Sequence, residues 1–311
     1  MSGTDTMDFD RAVADYLATR RALGFKLKRH GRLLPDLVVH LREAGVTTLT
    51  TQVALAWATS LEGHPDEWPI RLSIVRGFAR WLRSLDPATE VPPVTLLPRN
   101  RRRARPYLYG EADVIALMEA TATLRFPFRS ATYRTLIGLA AVTGMRIGEA
   151  VGLDVSDLDW HTGCLLVREG KWGASRELPL HPTTIEALRV YAELRRRHFP
   201  RPKAPAFFLS LAGTRLFCEN VNWTFRRLVA EAGLVASGSR RPRIHDLRHT
   251  FACCTVADFY RSGVDVAAWM PRLSAYLGHA DPSGTFWYLS ATPELLAVAL
   301  ARREPGWRPA P

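Results

Sequence analysis

The chain has 311 residues, of which 47% are hydrophobic and 23% are charged. These proportions exclude an intrinsically disordered protein and leave room for two domains. No apolar run reaches the roughly 20 residues of a membrane span, and the first ten residues, MSGTDTMDFD, are unlike a signal peptide. We therefore expect a cytoplasmic protein without a membrane partner. The net charge of +12 at pH 7 indicates a polyanionic partner.

Basic residues are concentrated in particular segments. Residues 99–311 carry 30 basic and 19 acidic residues, whereas residues 1–98 carry 12 and 11. The run RNRRRAR at 99–105 has five arginines, and the segment 20–32 has six Lys or Arg and no acid. A solvated surface would explain both segments, but such runs also bind phosphate backbones. The candidate contacts to such a backbone are Arg20, Arg21, Lys26, Lys28, Arg29, Arg99, Arg101, Arg102, Arg103 and Arg105.

The first part of the chain is predicted to be a helical module. Apolar residues recur at helical spacing in four segments, residues 9–23, 31–45, 50–61 and 66–86. Four short helices form a compact bundle, so we assign residues 1–86 to an N-terminal domain. Residues 87–106 contain five prolines and no apolar periodicity, which predicts an interdomain linker.

Residues 107–311 are predicted to form a second, mostly helical domain. Alternating apolar residues with central turn residues at 164–180 predict two antiparallel strands joined by a tight turn. Helical spacing is found before and after that hairpin, at residues 109–121, 130–144, 183–199, 218–233, 243–252, 266–279 and 292–304.

The segment RIHDLRHTFA, residues 243–252, combines two histidines and two arginines with an apolar stripe. The stripe consists of Ile244, Leu247, Phe251 and Cys254. His245 and Arg248 lie three residues apart and are expected on one face at the rim of the core. An amphipathic helix with a solvated basic edge has the same pattern. A guanidinium and an imidazole at the edge of a core also suit a phosphate.

The cysteines give no indication of a metal site. The chain has four, Cys164, Cys218, Cys253 and Cys254, and none forms a CxxC pair. We therefore expect reduced, buried thiols. The sequence also lacks a GxxxxGK[ST] loop and a cluster of acidic metal ligands, so neither a metal nor a nucleotide is expected.

Three further motifs carry chemically active side chains. TGMRIGEAVGL places Arg146 directly after a helix end, and Glu149 is its candidate ion-pair partner because a buried guanidinium must be paired or bind an anion. Lys171 lies in the predicted hairpin of a chain that has only four lysines. LGH places His279 after a helix-ending glycine, and Tyr288 follows nine residues later.

The order of these motifs closely resembles that of the tyrosine recombinase (phage integrase) family: TGxR, a hairpin lysine, HxxRH, LGH and a tyrosine nine residues further. The resemblance covers residues 107–303 and extends to the helical module and the linker. It implies six catalytic residues and two supporting ones, namely Arg146, Lys171, His245, Arg248, His279 and Tyr288, with Glu149 and His249. The chain departs from the family pattern in two places. Leu289 and Ser290 replace the frequent Thr-His after the tyrosine, and residues 259–273 form a longer segment than in compact members.

The resemblance implies a mainly α protein with a small antiparallel β-sheet. In it a four-helix DNA-binding module and a catalytic domain form a C-shaped clamp around double-stranded DNA. It implies a homo- or hetero-tetramer on two DNA sites, in association with the nucleoid. The C-terminal helix 293–304 would dock on a neighbour or pack against its own domain. A tyrosine would attack the scissile phosphate and form a 3′-phosphotyrosyl intermediate, without a cofactor.

The resemblance also implies a role for each catalytic side chain. Arg146 and Arg248 would clamp the non-bridging phosphate oxygens, and His279 would donate a hydrogen bond to them. Lys171 would protonate the leaving 5′ oxygen, and His245 would exchange a proton with the tyrosine.

Three other functions share these features. A type IB topoisomerase uses the same chemistry but relaxes DNA without pairing two sites, and the separate helical module argues against it. A catalytically inactive DNA-binding relative is disfavoured because all six residues are present. A transposase of the same chemistry stays open beside phage integration and the resolution of dimers.

Overall fold

The computed structural model describes residues 7–97, 106–168, 175–234, 241–279 and 285. The chain divides into two compact units, Met1–Arg103 and Ala104–Pro311. None of the helices in the described ranges is long and apolar enough to cross a membrane.

The described residues of the first unit form four helices, at the places that the apolar spacing predicts. They are α1 (Phe9–Ala22), α2 (Lys28–Glu43), α3 (Thr51–Thr59) and α4 (Trp68–Leu82). Asp8 begins α1 and Thr50 begins α3, since each side chain accepts a hydrogen bond from a backbone amide of the first turn. The helices enclose one core, in which Trp57 and Phe78 are fully buried.

The first part of the segment predicted as a linker packs against these helices. Arg76 of α4 donates from Nε to the carbonyl of Pro92 at 2.7 Å and from Nη2 to that of Pro93 at 2.9 Å. The Glu90 carboxylate accepts from the amide of Thr51 at 2.7 Å. These prolines therefore belong to an ordered, non-helical segment, which composition alone does not distinguish from a linker.

The described residues of the second unit are mainly helical with a small antiparallel sheet, as the sequence predicts, and the fold-class prediction is confirmed for this unit. The sheet has three strands there, whereas two were predicted. Its elements are α5 (Glu111–Ala120), α6 (Pro127–Thr143), α7 (Ile147–Gly152), β1 (Leu158–Asp159), β2 (Cys164–Val167), β3 (Arg176–Pro179), α8 (Pro182–His198), α9 (Cys218–Glu231), α10 (Ile244–Arg261) and α11 (Val266–Leu277). The strands lie in the order β1-β2-β3, with Leu165 opposite Leu178. The two-residue strand β1 was not predicted, because two residues are too few to show an alternation.

Helix α6 lies at the centre of the second unit, where it packs against α5, α8 and α10. Leu136 and Ile137 are completely buried on it. The helix ends at Gly144, whose φ of +60° is a left-handed conformation that glycine adopts without a steric penalty. This ending places the Gly144 carbonyl beside α10, where it accepts a hydrogen bond from Arg248.

Two expectations about the cysteines are wrong. Cys254 does not continue the apolar stripe of α10: it is exposed, and its neighbour Cys253 is buried instead. The reason is that α11 packs on α10 and covers the side that carries Ala252, Cys253 and Val256. Cys164 and Cys218 are half-buried, so only one of the four thiols is fully buried.

The end of α6 gives a testable difference between two glycines. Gly144 and Gly233 both follow a helix with positive φ, +60° and +65°. An alanine Cβ at 144 would collide with the ring of Phe251, whereas at 233 it would meet nothing within 4 Å. We expect Gly233→Ala to cost about 1–2 kcal/mol of unfolding free energy, the penalty of a left-handed alanine. Gly144→Ala should cost distinctly more, because Phe251 must also move.

The measurement is urea unfolding of both variants beside the wild type, followed by circular dichroism. An equal loss in the two variants would show that Phe251 moves aside without cost and would contradict the prediction.

Candidate active site

Arg146 is held at the beginning of α7 by Glu149. Its Nη1 donates to Glu149 Oε1 at 2.7 Å, and its backbone amide donates to Oε2 at 2.9 Å. Nη2 donates to the carbonyl of Gly278 at 2.9 Å. The Glu149 side chain is 7% exposed and that of Arg146 is 20% exposed. Glu149 is thus the carboxylate partner that the three-residue spacing predicts, and one face of Arg146 stays accessible.

A second arginine, Arg176 of β3, binds the same carboxylate. Its Nη2 donates to Glu149 Oε2 at 2.8 Å, and its Nε donates to the carbonyl of Tyr276 at 2.6 Å. Burial raises the pKa of Glu149, but the hydrogen bonds from Arg176 and Arg146 outweigh it and leave the pKa below its ordinary value. Arg176 was not predicted. Its position two residues before the fully buried Leu178 puts it on the inward face of the strand, which is the signal that the sequence offered.

Arg248 is buried, contrary to the prediction that it lies at the rim of the core. It is 2% exposed. Its Nη1 donates to the carbonyl of Gly144 at 2.8 Å, and its Nη2 donates to the carbonyl of Leu277 at 2.6 Å. The burial follows from the packing of α11 beside α10, and the charge is tolerated because backbone acceptors from two helix ends surround it.

His279 follows the left-handed Gly278 that ends α11. Its Nε2 lies 2.9 Å from Arg248 Nη2, and its Nδ1 lies 2.7 Å from the Thr285 hydroxyl. A guanidinium has only donors, so Nε2 is the acceptor and the ring proton is on Nδ1. Thr285, which the sequence did not single out, therefore fixes which nitrogen of His279 faces Arg248.

His245 and His249 lie one turn apart on α10, with ring centroids separated by 4.9 Å. Burial, with a smaller effect of the His245 ring, lowers the pKa of His249 to about 4. The pKa of His245 is also lowered, first by the atoms packed around it and then by the charge of Arg248. One side of His245 is nevertheless open to solvent. Both imidazoles are therefore neutral at pH 7, and His245 is accessible as a proton acceptor.

The second unit thus brings four of the six predicted catalytic side chains to one place: Arg146, His245, Arg248 and His279. The predicted supporting residues Glu149 and His249 contact them. Seven other predicted residues lie outside the described residues, as does the predicted helix 293–304. They are Lys171, Tyr288, Arg99, Arg101, Arg102, Arg103 and Arg105. In the described part of the chain, no group of three or more His, Cys, Asp or Glu is arranged to hold a metal ion.

The other predicted basic residues lie around the corner between α1 and α2. Arg20 and Arg21 are in the last turn of α1, and Lys28 begins α2. The Arg20 guanidinium stacks over Phe25 at 4.0 Å from the ring centroid. Arg29 is paired with Glu67, which reduces the net charge at that point.

The low pKa of His249 predicts a pH-dependent stability. An unfolded histidine titrates near 6.5, whereas His249 in the folded protein titrates at about 4. The contribution of this difference in pKa to the unfolding free energy is complete above pH 6.5. It is lost as the pH falls towards 4, because His249 then binds a proton more tightly in the unfolded chain than in the folded protein. We expect His249→Asn to lose less unfolding free energy than the wild type between pH 7.5 and pH 5.

Denaturant unfolding at both pH values measures this difference. Replacement of the exposed His161 by Asn is the control and should leave the loss as it is in the wild type. A His249→Asn protein that loses as much as the wild type would contradict the prediction.

Known proteins are similar to this chain in sequence and in fold. The sequence pattern of the phage integrase family matches residues 110–294. The putative integrase/recombinase y4rB of Sinorhizobium fredii (strain NBRC 101917 / NGR234) is 40% identical over 307 residues, which cover 96% of this chain and 98% of that protein.

Solved structures agree with that match. The Tn1549 transposon integrase in complex with transposon right-end DNA superimposes with a TM-score of 0.66 at 16% identity, over 95% of this chain and 99% of that one. A lambda integrase tetramer bound to a Holliday junction gives 0.64 at 17% identity, over 98% and 81%. The family pattern spans more than half of the chain, and y4rB is similar over nearly its whole length. The chain therefore belongs to the phage integrase family, the tyrosine recombinases, whose members are DNA strand-transferring enzymes.

Proposed function

We propose that this chain is a site-specific recombinase that cuts and rejoins double-stranded DNA through a 3′-phosphotyrosyl intermediate. The proposal depends mainly on one observation, the convergence of Arg146, Arg248 and His279 on the adjoining ends of α6, α7 and α11. Two guanidiniums in one place form a binding site for a single phosphate group. The imidazole beside them can donate to that phosphate once its ring proton has moved to Nε2.

Arg248 is prepared for a phosphate before DNA arrives. The carbonyls of Gly144 and Leu277 fix its plane, so binding requires little reorganisation. Its contact with His279 at 2.9 Å joins a cation to a neutral ring. A phosphate oxygen carries negative charge and is the stronger acceptor, so it displaces that contact. Charge grows on the non-bridging oxygens in the transition state, which the arginines therefore bind more tightly than the ground state.

The proposed reaction begins with attack on phosphorus by the Tyr288 hydroxyl oxygen. The neutral, accessible His245 takes the phenolic proton, a bond forms between phosphorus and the tyrosine oxygen, and the bond to the 5′ oxygen breaks. Lys171 gives a proton to that 5′ oxygen, which leaves as a hydroxyl. Attack by a 5′ hydroxyl of another strand reverses these steps and rejoins the DNA, so no external energy source is required.

Glu149 and His249 support this site. Glu149 holds Arg146 through its guanidinium and its backbone amide. The ring of His249 packs edge-on against His245 and limits its orientation. Neither residue touches the phosphate in this proposal.

We propose that DNA is held mainly by charge outside the catalytic centre. The candidate contacts are the basic corner of the N-terminal domain, residues 1–86, and the arginine run of the linker, residues 87–106. The catalytic domain, residues 107–311, follows that linker in the chain. Arginines of this kind bind the phosphate backbone without reading sequence. The related structures named above contain DNA, and one is a tetramer. We propose the same partners here, with segment 293–304 as the contact between protomers.

The nucleophile is tested with a nicked DNA substrate that traps the covalent intermediate. Tyr288→Phe should bind DNA as the wild type does and form no covalent adduct, because only the attacking oxygen is lost. Tyr276→Phe is the control: its ring stacks on Phe251 at 5.6 Å, and burial raises the pKa of its hydroxyl. Tyr260→Phe, in the last turn of α10, is a second control. Both controls should retain the adduct.

The adduct is detected as a DNA-shifted band in denaturing electrophoresis, and a tryptic peptide identifies the linked residue. A peptide that contains Tyr276 or Tyr260 in place of Tyr288 would overturn the assignment of the nucleophile.

The role of Lys171 is tested by changing the leaving group. Lys171→Ala should cleave ordinary DNA about 100-fold or more slowly, the usual effect of losing a general acid. A substrate with sulfur at the 5′ leaving position requires little protonation and should restore most of the rate. Single-turnover cleavage of both substrates measures the difference. An equal defect on both substrates would exclude the acid role.

A further inference from the structure

Arg176 connects the parts of the site that carry Arg146 and His279. It lies at the start of β3 and is 12% exposed. Each of its three guanidinium nitrogens has an acceptor within the protein: Nη1 and Nη2 donate to Glu149, and Nε donates to the carbonyl of Tyr276. These partners tie its side chain to Glu149 on one side and to the end of α11 on the other.

The first connection is through the Glu149 carboxylate, which the two arginines share. Oε1 accepts from Arg146 Nη1 at 2.7 Å and from Arg176 Nη1 at 3.3 Å, and Oε2 accepts from the Arg146 amide at 2.9 Å and from Arg176 Nη2 at 2.8 Å. A carboxylate has about four acceptor positions, so this one is fully used. Without Arg176, the Glu149 carboxylate would be free to rotate and to accept from the Arg146 guanidinium with both oxygens. This bidentate ion pair would weaken the attraction of Arg146 for the phosphate.

The second connection is to the end of α11. The Nε bond to the Tyr276 carbonyl fixes the last turn of the helix, at 2.6 Å. Directly after it comes Gly278, where an added Cβ would lie 2.7 Å from Arg176 Nη1. This close approach holds the residues that offer the Leu277 carbonyl to Arg248 and present His279.

The third connection is to the hairpin. Arg176 pairs with Val167 across β2 and β3. The side chain of Arg176 therefore fixes the start of β3 against Glu149 and the end of α11.

We propose that Arg176 is a positioning residue for strand cleavage: it holds Glu149 and the end of α11 in place and thereby orients Arg146 and His279. This inference rests on the proposed recombinase function. It goes beyond that function, because the role assigned to Arg176 is to hold other side chains through its contacts within the protein.

The test compares Arg176 with Arg215, a matched arginine of the same unit. Arg215 also binds a carboxylate, Asp154, and also donates to backbone carbonyls, those of Val151 and Leu153 at the far end of α7. Arg176→Met should slow single-turnover cleavage of saturating nicked DNA by about 10- to 100-fold, the range for a displaced catalytic group. Its DNA affinity should stay within about twofold of the wild type. Arg215→Met should cleave at nearly the wild-type rate.

The conservative variant Arg176→Lys keeps the charge and most of the volume, so the test does not depend on whether the methionine variant folds. An ammonium group cannot make the forked contact and the Nε bond together. We therefore expect Arg176→Lys to remain at least about 10-fold slow. Wild-type cleavage by a folded Arg176→Lys protein would overturn the inference.

A double-mutant cycle shows whether Arg176 acts through Glu149. If it does, Glu149→Gln combined with Arg176→Met should cleave little more slowly than the slower single variant. If the fold-reductions in cleavage rate of the two single variants multiply in the double variant, the two residues act independently, and the inference is contradicted.

Amide hydrogen exchange gives a readout that does not depend on activity. The amides of Gly278 and His279 close the end of α11 by donating to the carbonyls of Ala275 and Ser274. They should exchange faster in Arg176→Met than in Arg215→Met, and equal rates would overturn the inference. If the wild type itself forms no adduct with DNA, the proposed function fails, whereas the exchange experiment still decides whether Arg176 holds this helix end.

Discussion

The buried guanidinium of Arg248 is the constraint on which the catalytic unit depends. An uncompensated charge in a protein interior costs several kcal/mol, so acceptors must be supplied at fixed places. The fold supplies the carbonyls of Gly144 and Leu277 and the Nε2 of His279. Two of these acceptors belong to the last residues of helices, where carbonyls have no partner within the helix. The ends of α6 and α11 must therefore meet beside α10.

The same arrangement sets the charge of the site. Two arginines, Arg146 and Arg176, pair with one buried carboxylate, that of Glu149. A third, Arg248, donates to the carbonyls of Gly144 and Leu277. Burial first, and then the charge of Arg248, lowers the pKa of His245, which therefore stays neutral at pH 7. A neutral histidine beside a cationic phosphate site is what proton abstraction from a phenol requires. An incoming phosphate would add negative charge where these arginines lie.

Local patterns in the sequence predict much of this structure, and contacts between distant segments account for what they miss. The helices of the first unit, the β2–β3 hairpin and the Arg146–Glu149 pair follow from spacings of two to four residues. The depth of Arg248 does not, because Gly144 and Leu277 lie far from it along the chain. The pairing of Arg176 with Glu149 and the exposure of Cys254 likewise depend on which helix or strand packs against which. The resemblance to a family predicts which catalytic residues form one site, but it does not identify the contacts that hold them in position.

In the proposed function, DNA binding and catalysis use arginines in different surroundings, and the two should respond differently to salt. Exposed arginines, such as Arg21 at the α1–α2 corner, act through solvent, so their attraction for a phosphate backbone is screened within about 10 Å at 0.1 M salt. Arg248 acts from a buried position, where counterions do not enter and the effective dielectric constant is low. Rising salt should therefore weaken the capture of DNA far more than the cleavage of DNA already bound. This separation allows the protein to release its substrate without dismantling the site that cuts it.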